Sequence, residues 1–156
     1  SRQHRGVAES FDDLLDRLLA AVRKFEPIAT RAGQSDLVIG NLKFSGNSQR
    51  RQRSHLLHHG TLLHHFDSAR VARYLKQPCR QPVYRGSREH QAFMTNLAAD
   101  PQLLSVQLRS VYDTFQAAGE WPRSTVAQLV REKYMLPEWN ELGRLSHAQG
   151  PIPAIP

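Results

Sequence analysis

Residues 36 to 44 read Asp-Leu-Val-Ile-Gly-Asn-Leu-Lys-Phe, and they contain the clearest local signal of secondary structure in the chain. Two short apolar runs, Leu37–Ile39 and Leu42–Phe44, flank the dipeptide Gly40-Asn41. Glycine and asparagine tolerate the positive φ angles that a two-residue hairpin turn requires. The stretch therefore predicts a β-hairpin with Lys43 on its second strand.

The chain beyond this hairpin becomes polar and then apolar again. Ser45 to Arg53 contains the turn formers Gly46-Asn47 and a basic cluster of Arg50, Arg51 and Arg53. The run from His55 to Phe66 predicts a further strand, interrupted by a glycine at position 60. A glycine inside a strand often marks the close approach of a ligand or of another backbone.

Helical patterns lie on both sides of this strand region. An amphipathic helix is predicted from Ser10, as its N-cap, to Lys24, before Pro27 ends it. Further helices are predicted after the strands at 68–76, 87–97, 100–119 (opened by the N-cap pair Asp100-Pro101) and 124–134. We therefore expect an α+β domain whose mixed or antiparallel sheet is flanked by helices, with strands between 28 and 66.

Length and composition limit the class of protein. The chain has 156 residues, which predicts one domain over 1–145 and an extended or disordered tail over 146–156. The formal net charge of +7 favours an anionic partner: a nucleotide, a nucleic acid or an acidic protein. A single cysteine excludes an intramolecular disulfide and favours a reducing compartment, here the cytoplasm. No stretch reaches the ~20 apolar residues of a membrane span.

The segment around the hairpin has the ingredients of an anion site. Lys43 on a strand is a positioned point charge. A turn at Ser45-Gly46-Asn47 would expose backbone N–H groups that bind anions. Gly60, on the next strand, would leave room for a ligand. An ordinary hairpin with a solvated lysine is the alternative interpretation.

The order and spacing of these residues resemble the lipoate–protein ligase A family, within the biotin/lipoate ligase group. That family has an Asn-Asp-Leu segment, a strand ending Arg-Lys-x-Ser-Gly-x-Ala, a basic stretch, and then His-His-Gly-Thr-Leu-Leu. Here the corresponding segments are Ser35 to Leu37, Leu42 to Ser48, Gln49 to Arg53, and His58 to Leu63. The loop Gln77 to Arg85 also looks like members of this family.

The resemblance implies a fold like that of class II aminoacyl-tRNA synthetases and biotin synthetase. It also implies an enzyme that uses ATP and Mg²⁺ to activate lipoate or octanoate as an acyl-adenylate. The acyl group would then pass to a lysine of a lipoyl carrier domain, such as those of acyltransferase subunits or of the glycine-cleavage H protein. No membrane partner is implied.

The resemblance also assigns roles to individual residues. Lys43 matches the family's essential lysine, which is expected to hold acyl and phosphate oxygens. The anion pocket would be shaped by Ser45, Gly46 and Asn47. The wall of the acyl tunnel would be formed by His59, Gly60 and Thr61. Asp36 would lie near the nucleotide and its Mg²⁺, since carboxylates suit hard cations.

The sequence departs from the family pattern in three places. Ser35 stands where the family usually has asparagine, and Leu42 stands where it often has arginine. The family's first signature, an Arg-Arg-x-x-Gly-Gly-Gly loop, is absent from the chain. We therefore expect the chain to be the C-terminal part of such a catalytic domain, incomplete at its N-terminus, with an inactive fragment as the alternative to an active enzyme.

Cys79 and the basic cluster support two alternative functions. In related ATP-independent octanoyltransferases a nucleophilic cysteine follows a His-Gly strand at nearly the distance that separates Cys79 from His59. The arginine cluster could instead bind nucleic acid, although no aromatic stacking residues are interleaved with it. Five histidines lie between 55 and 65, but no cysteine is near them, and we predict no metal site there.

Overall fold

A computed structural model of the chain describes residues 6–53, 55–114 and 119–142. The chain divides into two compact units, Ser1–Phe115 and Gln116–Pro156. The tail predicted over 146–156 lies outside the described residues. The domain boundary at 145 stays a prediction.

The first unit combines a four-stranded sheet with helices that precede and follow it. In chain order its elements are α1 (Val7–Val22), β1 (Ala29–Ala32), β2 (Asp36–Ile39), β3 (Leu42–Arg51), β4 (Leu56–Leu62), α2 (Ser68–Tyr74), α3 (His90–Phe93) and α4 (Pro101–Val111). A 3₁₀ turn, Val83–Arg85, lies between α2 and α3. This architecture confirms the predicted α+β class.

The sheet is antiparallel throughout, with its strands in the order β1-β2-β3-β4. Ile39 pairs with Leu42 across the predicted two-residue turn, and Gly40 has a φ of +59° there. The register of β2 against β3 shifts between Leu37 and Val38. Such a bulge changes which residues of β3 face each side of the sheet.

The predicted turn at Ser45-Gly46-Asn47 is wrong. These residues continue β3, and every residue from Ser45 to Arg51 pairs with a residue of β4. Gly46 is not among the glycines with positive φ. Polar side chains made the segment resemble a loop, but the ladder with β4 satisfies its backbone N–H and C=O groups.

The core lies between α1 and one face of the sheet. Leu15 of α1 and Leu37 and Phe44 of the sheet are fully buried. The cluster as a whole comprises Phe11, Leu15, Leu18, Leu19, Val22, Ala29, Leu37, Phe44, Leu97 and Leu104. The spacing of its α1 members is the predicted amphipathic stripe, and burying such side chains stabilises the fold by about 1.5–3 kcal/mol each.

The helix ends show where local signals were right and where they were not. Asp100 caps α4 by accepting from the N–H of Leu103, with a proline in the first turn, as predicted. Ser10 is not the N-cap of α1, because that helix begins a turn earlier, after Gly6. The hydroxyl of Ser10 is instead buried and hydrogen bonds with the Gln49 side chain of β3.

The helix predicted over 87–97 shortens to the single turn of α3. Ser87 has a φ of +58°, which no helix accommodates. The segment after α3 is extended and bonds to the sheet instead: the N–H of Thr95 donates to the Lys43 carbonyl, and the N–H of Leu97 donates to the Leu63 carbonyl. These bonds anchor the backbone of Lys43 on a side that the strand ladder leaves open.

The second unit is helical where it is described. It consists of α5 (Arg123–Leu129), a π-helical turn (Val130–Tyr134) and α6 (Pro137–Leu142). Within it, the Lys133 ammonium lies 4.1 Å from the ring centroid of Trp139, which meets Tyr134 edge to face.

Candidate functional site

Lys43 is the second residue of β3, next to the Gly40-Asn41 turn. It pairs with Val38 of β2, and on its other side its carbonyl accepts from the N–H of Thr95 rather than from β4. Its Nζ is 2.8 Å from Oδ1 of Asp36 on the neighbouring strand β2. The Lys43 side chain is 29% exposed, whereas Asp36 is 7% exposed. The pair thus has a buried anionic side and a solvent-accessible cationic side, which an incoming anion can reach.

Gly46 provides the space that the ammonium group occupies. A Cβ placed on Gly46 would lie 2.9 Å from Nζ and 3.0 Å from Cε of Lys43, and 3.7 Å from Oδ1 of Asp36. The two distances to Lys43 are too short for ordinary packing, so any side chain here would displace the ammonium group. The structure therefore brings Asp36, Lys43 and Gly46 together.

Ser45 and Asn47 face the other side of the sheet. Leu37, a core residue, is the cross-strand partner of Ser45, and directly opposed residues share a face. Ser45 is 1% exposed. The Asn47 amide donates to the Ser35 carbonyl and to the Ser45 hydroxyl. These side chains therefore support the strands from the helix side, and the expectation that they line an anion pocket with Lys43 is corrected.

Gly60 lies opposite Asn47, and its missing side chain leaves the space that the Asn47 amide occupies. A Cβ on Gly60 would be 2.7 Å from the Asn47 side-chain carbon Cγ and 3.0 Å from the Gly46 carbonyl oxygen. The close approach predicted from a glycine inside a strand is present, but the approaching group is a side chain of the protein itself.

Thr61 and His59 lie on the same face as Gly46. Thr61 is the cross-strand partner of Gly46, and His59 is that of Ser48. Both are exposed. Thr61 also contributes to an open cleft of about 710 Å³ between the end of β4 and α2, lined by Leu63, Phe66, Arg70, Val71 and Tyr74 among others. The cleft thus includes the cross-strand partner of Gly46, the glycine beside which the Lys43 ammonium lies, and it has a largely apolar lining.

Tyr84 is the site residue that the sequence analysis missed. Its hydroxyl donates to Oδ2 of Asp36 at 2.7 Å, across 48 positions of the chain. Burial is the main cause that raises the pKa of Tyr84, and its bond to Asp36 raises it further. The only available signal was the likeness of the loop from Gln77 to Arg85 to family members, which does not indicate where a tyrosine side chain points.

The geometry at Asp36 does not fit a magnesium ligand. Oδ1 is engaged by Lys43 and Oδ2 by Tyr84. Each oxygen keeps a second lone pair, but a cation there would lie in a buried position beside the positively charged Lys43 ammonium, which is 2.8 Å from Oδ1. Among residues 6–53, 55–114 and 119–142, no cluster of three or more histidine, cysteine or acidic residues could hold a metal ion. The arrangement instead fits an anionic ligand on the exposed side of the ammonium group.

Cys79 lies in the loop between α2 and the 3₁₀ turn, and it is exposed. The loop that carries it is held by the buried Arg85, which donates to the side-chain oxygen of Gln77 at 2.8 Å and to the carbonyl of Arg88 at 2.9 Å. Because Tyr84 follows in the same loop and bonds to Asp36, the cysteine is tethered to an element that contacts the Lys43 site.

The histidines of β4 and the following turn have separate surroundings. His58 packs edge to face on Phe11, and its Nδ1 is 3.1 Å from the Gln49 amide nitrogen. Its Nε2 is buried, and no described residue forms a hydrogen bond with it. Burial, and to a lesser extent the neighbouring His59, lower the pKa of His58. His64 and His65 instead stack on each other, with ring centroids 4.1 Å apart.

The basic cluster lies at the far end of the β3–β4 hairpin. Arg50 and Arg53 are exposed there. Arg51 donates to the carbonyl of Gly6 and to the hydroxyl of Ser10, so it fastens the start of α1 to β3. In the part of the chain that the structure describes, no helix is long and apolar enough to cross a membrane.

Comparison with protein families places these features in one class. The model of the lipoyl protein ligase A/B catalytic domain matches residues 1–118 of the chain. That match covers most of the chain and includes the whole sheet with Asp36, Lys43 and Tyr84. The chain belongs to the lipoyl protein ligase A/B catalytic domain family.

Solved structures show the same fold. A lipoate-protein ligase A bound with ATP is similar over 90% of this chain and 61% of its own, with a TM-score of 0.74 and 16% identity. A bipartite lipoate protein ligase from Thermoplasma acidophilum, studied with its E2 lipoyl domain, covers 96% of this chain and 64% of its own, with a TM-score of 0.74 and 16% identity. A T. acidophilum ligase structure with bound lipoic acid has a TM-score of 0.68 and 15% identity over 90% of this chain and 61% of its own.

These comparisons confirm the family and fold predicted from the motif around Lys43. The chain spans about three fifths of the length of each of these relatives. At such low identity the likeness concerns the fold, and the roles of individual residues are a separate question.

Proposed function

We propose that this chain is the part of a lipoate–protein ligase-like acyltransferase that holds the reacting acyl phosphate. The observation that carries the proposal is the partly exposed Lys43 ammonium group, held by Asp36 beside Gly46, in a chain of this family. The ATP-bound and lipoic acid-bound relatives support the choice of ATP and of lipoate or octanoate as substrates.

The proposed reaction has two steps. A carboxylate oxygen of the acyl substrate attacks the α-phosphorus of ATP, pyrophosphate leaves, and an acyl-adenylate forms. The amine of a carrier-domain lysine then attacks the acyl carbonyl, AMP leaves, and an amide forms. Lys43 donates to the oxygens on which negative charge increases in both steps, which is the electrostatic role expected of a preorganised cation.

The sheet face around Lys43 is proposed to orient the substrate. Gly46 leaves the ammonium accessible, and Thr61 and His59 border it on β4. The apolar cleft that begins at Thr61 suits a hydrocarbon chain. We assign no Mg²⁺ ligand to the described residues, because Asp36 is engaged by Lys43 and Tyr84.

A lipoyl carrier domain is the proposed protein partner. One relative was studied with its E2 lipoyl domain. The positive charge of this chain and its exposed Arg50 and Arg53 suit an acidic partner. The cytoplasm remains the proposed location, on the strength of the single cysteine.

The test is acyl transfer by the full-length protein to a purified lipoyl domain. We expect octanoylation or lipoylation that requires ATP and releases pyrophosphate, detected as a mass increase of the domain. Lys43→Ala should abolish most of this transfer. Lys24→Ala, which removes an exposed lysine just after α1, is the matched control and should leave it unchanged. ATP-independent transfer, or full activity of Lys43→Ala, would contradict the proposal.

An ATP-independent octanoyltransferase is the second candidate, favoured by one observation. Cys79 is exposed in a loop whose Tyr84 contacts Asp36 at the site. In this reaction the thiolate would attack an octanoyl thioester, release the carrier thiol, and pass the acyl group to a lysine amine. Transfer from octanoyl carrier protein without ATP, lost in Cys79→Ser, would favour this candidate. ATP-dependent transfer retained in Cys79→Ser would exclude it.

A further inference from the structure

Asp36 is a buried carboxylate with a distinct donor at each oxygen. Oδ1 faces the Lys43 ammonium at 2.8 Å, and Oδ2 accepts from the Tyr84 hydroxyl at 2.7 Å. The terminal torsion of an aspartate is broad, so a carboxylate held at one oxygen can rotate. Two donors on opposite oxygens fix its plane. The direction from which Asp36 attracts Lys43 therefore depends on Tyr84.

The surrounding protein fixes Tyr84 independently of Asp36. Its ring lies against Gly33, where an added Cβ would be 3.6 Å from the tyrosine Cε1. On another side it packs on Phe93, with ring centroids 5.3 Å apart. The backbone of Tyr84 lies in the 3₁₀ turn, and its carbonyl accepts from Arg88, which also donates to the carbonyl of Asn41.

The Tyr84 hydroxyl is therefore held in place, and it can fix the orientation of Asp36. An ammonium group has three N–H donors, and Asp36 accepts one of them. When the carboxylate is fixed, the remaining donors of Lys43 point in defined directions from the space beside Gly46. A lysine whose carboxylate partner rotates would spend less time in the productive orientation, and orientation contributes directly to rate.

We propose that Tyr84 is a positioning residue for Lys43 and acts through Asp36. The inference rests on the proposed function, because it assigns Lys43 to the acyl phosphate. It adds a third group that sequence spacing does not connect with the site. It also gives Asp36 a role that needs no metal ion.

The test compares single-turnover acyl transfer to the lipoyl domain in four variants of the full-length protein. Tyr84→Phe removes the hydroxyl but keeps the ring against Gly33 and Phe93. We expect a rate loss on the order of tenfold, as for one hydrogen bond to a charged group, with the acyl-substrate KM within about twofold of wild type. Asp36→Asn should lose at least as much, since it removes the charge that holds Lys43.

The decisive variant is the double substitution Asp36→Asn with Tyr84→Phe. If Tyr84 acts through Asp36, the second change adds no further loss to the first, so the effects are strongly non-additive. A merely structural contribution of the hydroxyl would instead multiply the two losses. Tyr112→Phe is the matched control, because it also removes a buried tyrosine hydroxyl, which donates to the Leu14 carbonyl at 2.7 Å away from the site. It should lower the Tm without changing the rate.

A second readout does not require catalysis. Acetic anhydride labelling followed by peptide mass spectrometry reports how firmly the Lys43 ammonium is held, with exposed Lys76 as the internal reference. In Tyr84→Phe, labelling of Lys43 should increase by about twofold or more, because its charge-assisted bond to Asp36 is loosened. Unchanged labelling together with a wild-type transfer rate would overturn the inference, as would multiplicative losses in the double variant.

Lys43→Ala distinguishes a failure of the positioning role of Tyr84 from a failure of the proposed function. If Lys43→Ala is inactive and Tyr84→Phe has the wild-type rate, the positioning role is wrong and the proposed function stands. If Lys43→Ala retains the wild-type rate, the proposed role of Lys43 is wrong, and the role of Tyr84 fails with it.

Discussion

The two faces of the β3–β4 ladder use glycine for opposite purposes. On the face that carries Lys43, the missing side chain of Gly46 leaves room for an ammonium group. On the face covered by α1, the missing side chain of Gly60 leaves room for the amide of Asn47. The register Gly46–Thr61 and Asn47–Gly60 places the two glycines one residue pair apart but on opposite sides.

Two adjacent residue pairs of the ladder are therefore expected to contribute to different properties, one pair to the reaction rate and the other to stability. On the Lys43 face, the group next to Gly46 is the flexible, partly exposed ammonium end of Lys43. The Asn47 face is closed by hydrogen bonds to Ser35 and Ser45, and a side chain there must displace them. A change on the first face is expected to alter rate, and a change on the second is expected to alter folding.

The largest expected effect is on the Lys43 face. Lys43→Ala should reduce single-turnover transfer by about 10²–10³-fold, the usual loss for one preorganised electrostatic donor. Lys43→Arg should fail nearly as badly, because a planar guanidinium cannot replace a compact point charge beside Gly46. Rapid-quench transfer assays of wild type and both variants measure this.

Lys43→Ala should also have a smaller effect on folding, which the sequence alone did not indicate. The substitution leaves the buried Asp36 carboxylate without its charged partner. We expect the free energy of unfolding to fall by about 1–2 kcal/mol, less than for a fully buried pair because the lysine is partly exposed. Urea unfolding tests this. A much larger fall in the free energy of unfolding would contradict the prediction that changes on the Lys43 face mainly alter the rate.

Gly60→Ala should be the most damaging single change for stability on the other face. The new Cβ would meet the Asn47 side chain and the Gly46 carbonyl, and overpacking of this kind costs about 1–3 kcal/mol. Denaturant unfolding should show this loss. Gly119→Ala is the control, because no atom of the described residues lies within 4 Å of its added Cβ. In an Asn47→Ala background the further cost of Gly60→Ala should shrink; an unchanged cost would show that the backbone contact dominates.

Gly46→Ala tests the same difference on the Lys43 face, where we expect the rate to change more than the stability. The group nearest to the new Cβ is the flexible end of Lys43, which can move without disturbing the backbone. Stability should stay within about 0.5 kcal/mol of wild type. The transfer rate should fall by about tenfold, equivalent to about 1.4 kcal/mol of transition-state stabilisation. If Gly46→Ala unfolds the protein while its rate per folded molecule is normal, the two faces do not differ in the way described.

The smallest expected effect is a pH dependence of stability that arises from His58, on the face covered by α1. The lowered pKa of His58, caused mainly by burial, means that the fold favours the neutral imidazole. The unfolded chain takes up the proton near the ordinary pKa of 6.5. This contribution to stability is therefore complete above pH 6.5 and is lost as the pH falls toward the lowered value. His58→Asn keeps an acceptor for Gln49 and should flatten the acid limb of Tm against pH.

His59→Asn is the matched control for that titration. His59 is the next residue of β4, but it is exposed and lies on the Lys43 face. Its replacement removes only the smaller of the two causes that lower the pKa of His58, so it should flatten the acid limb less than His58→Asn does. Equal flattening by both substitutions would contradict the assignment of the acid sensitivity to the buried face.

The elements that could be predicted from the sequence are those that depend on neighbouring residues. The Gly40-Asn41 turn, the apolar stripe of α1 and the Asp100-Pro101 cap were predicted because each depends on a few adjacent side chains. The spacing from Asp36 to Leu63 was specific enough to indicate the family. Polar composition alone misled the prediction at Ser45 to Asn47, because a strand inside a ladder needs no apolar residues on a face where polar groups bond each other.

Only the tertiary structure decided which of these residues meet. Alternation along a strand assigns side chains to faces only after the register is known, and the shift between Leu37 and Val38 changes that assignment for β3. The shift puts Gly46 on the same face as Lys43. The separate register of β3 against β4 places Asn47 opposite Gly60. The contact of Tyr84 with Asp36 spans 48 positions, and it forms because Gly33 and Phe93 hold the ring where no local pattern could place it.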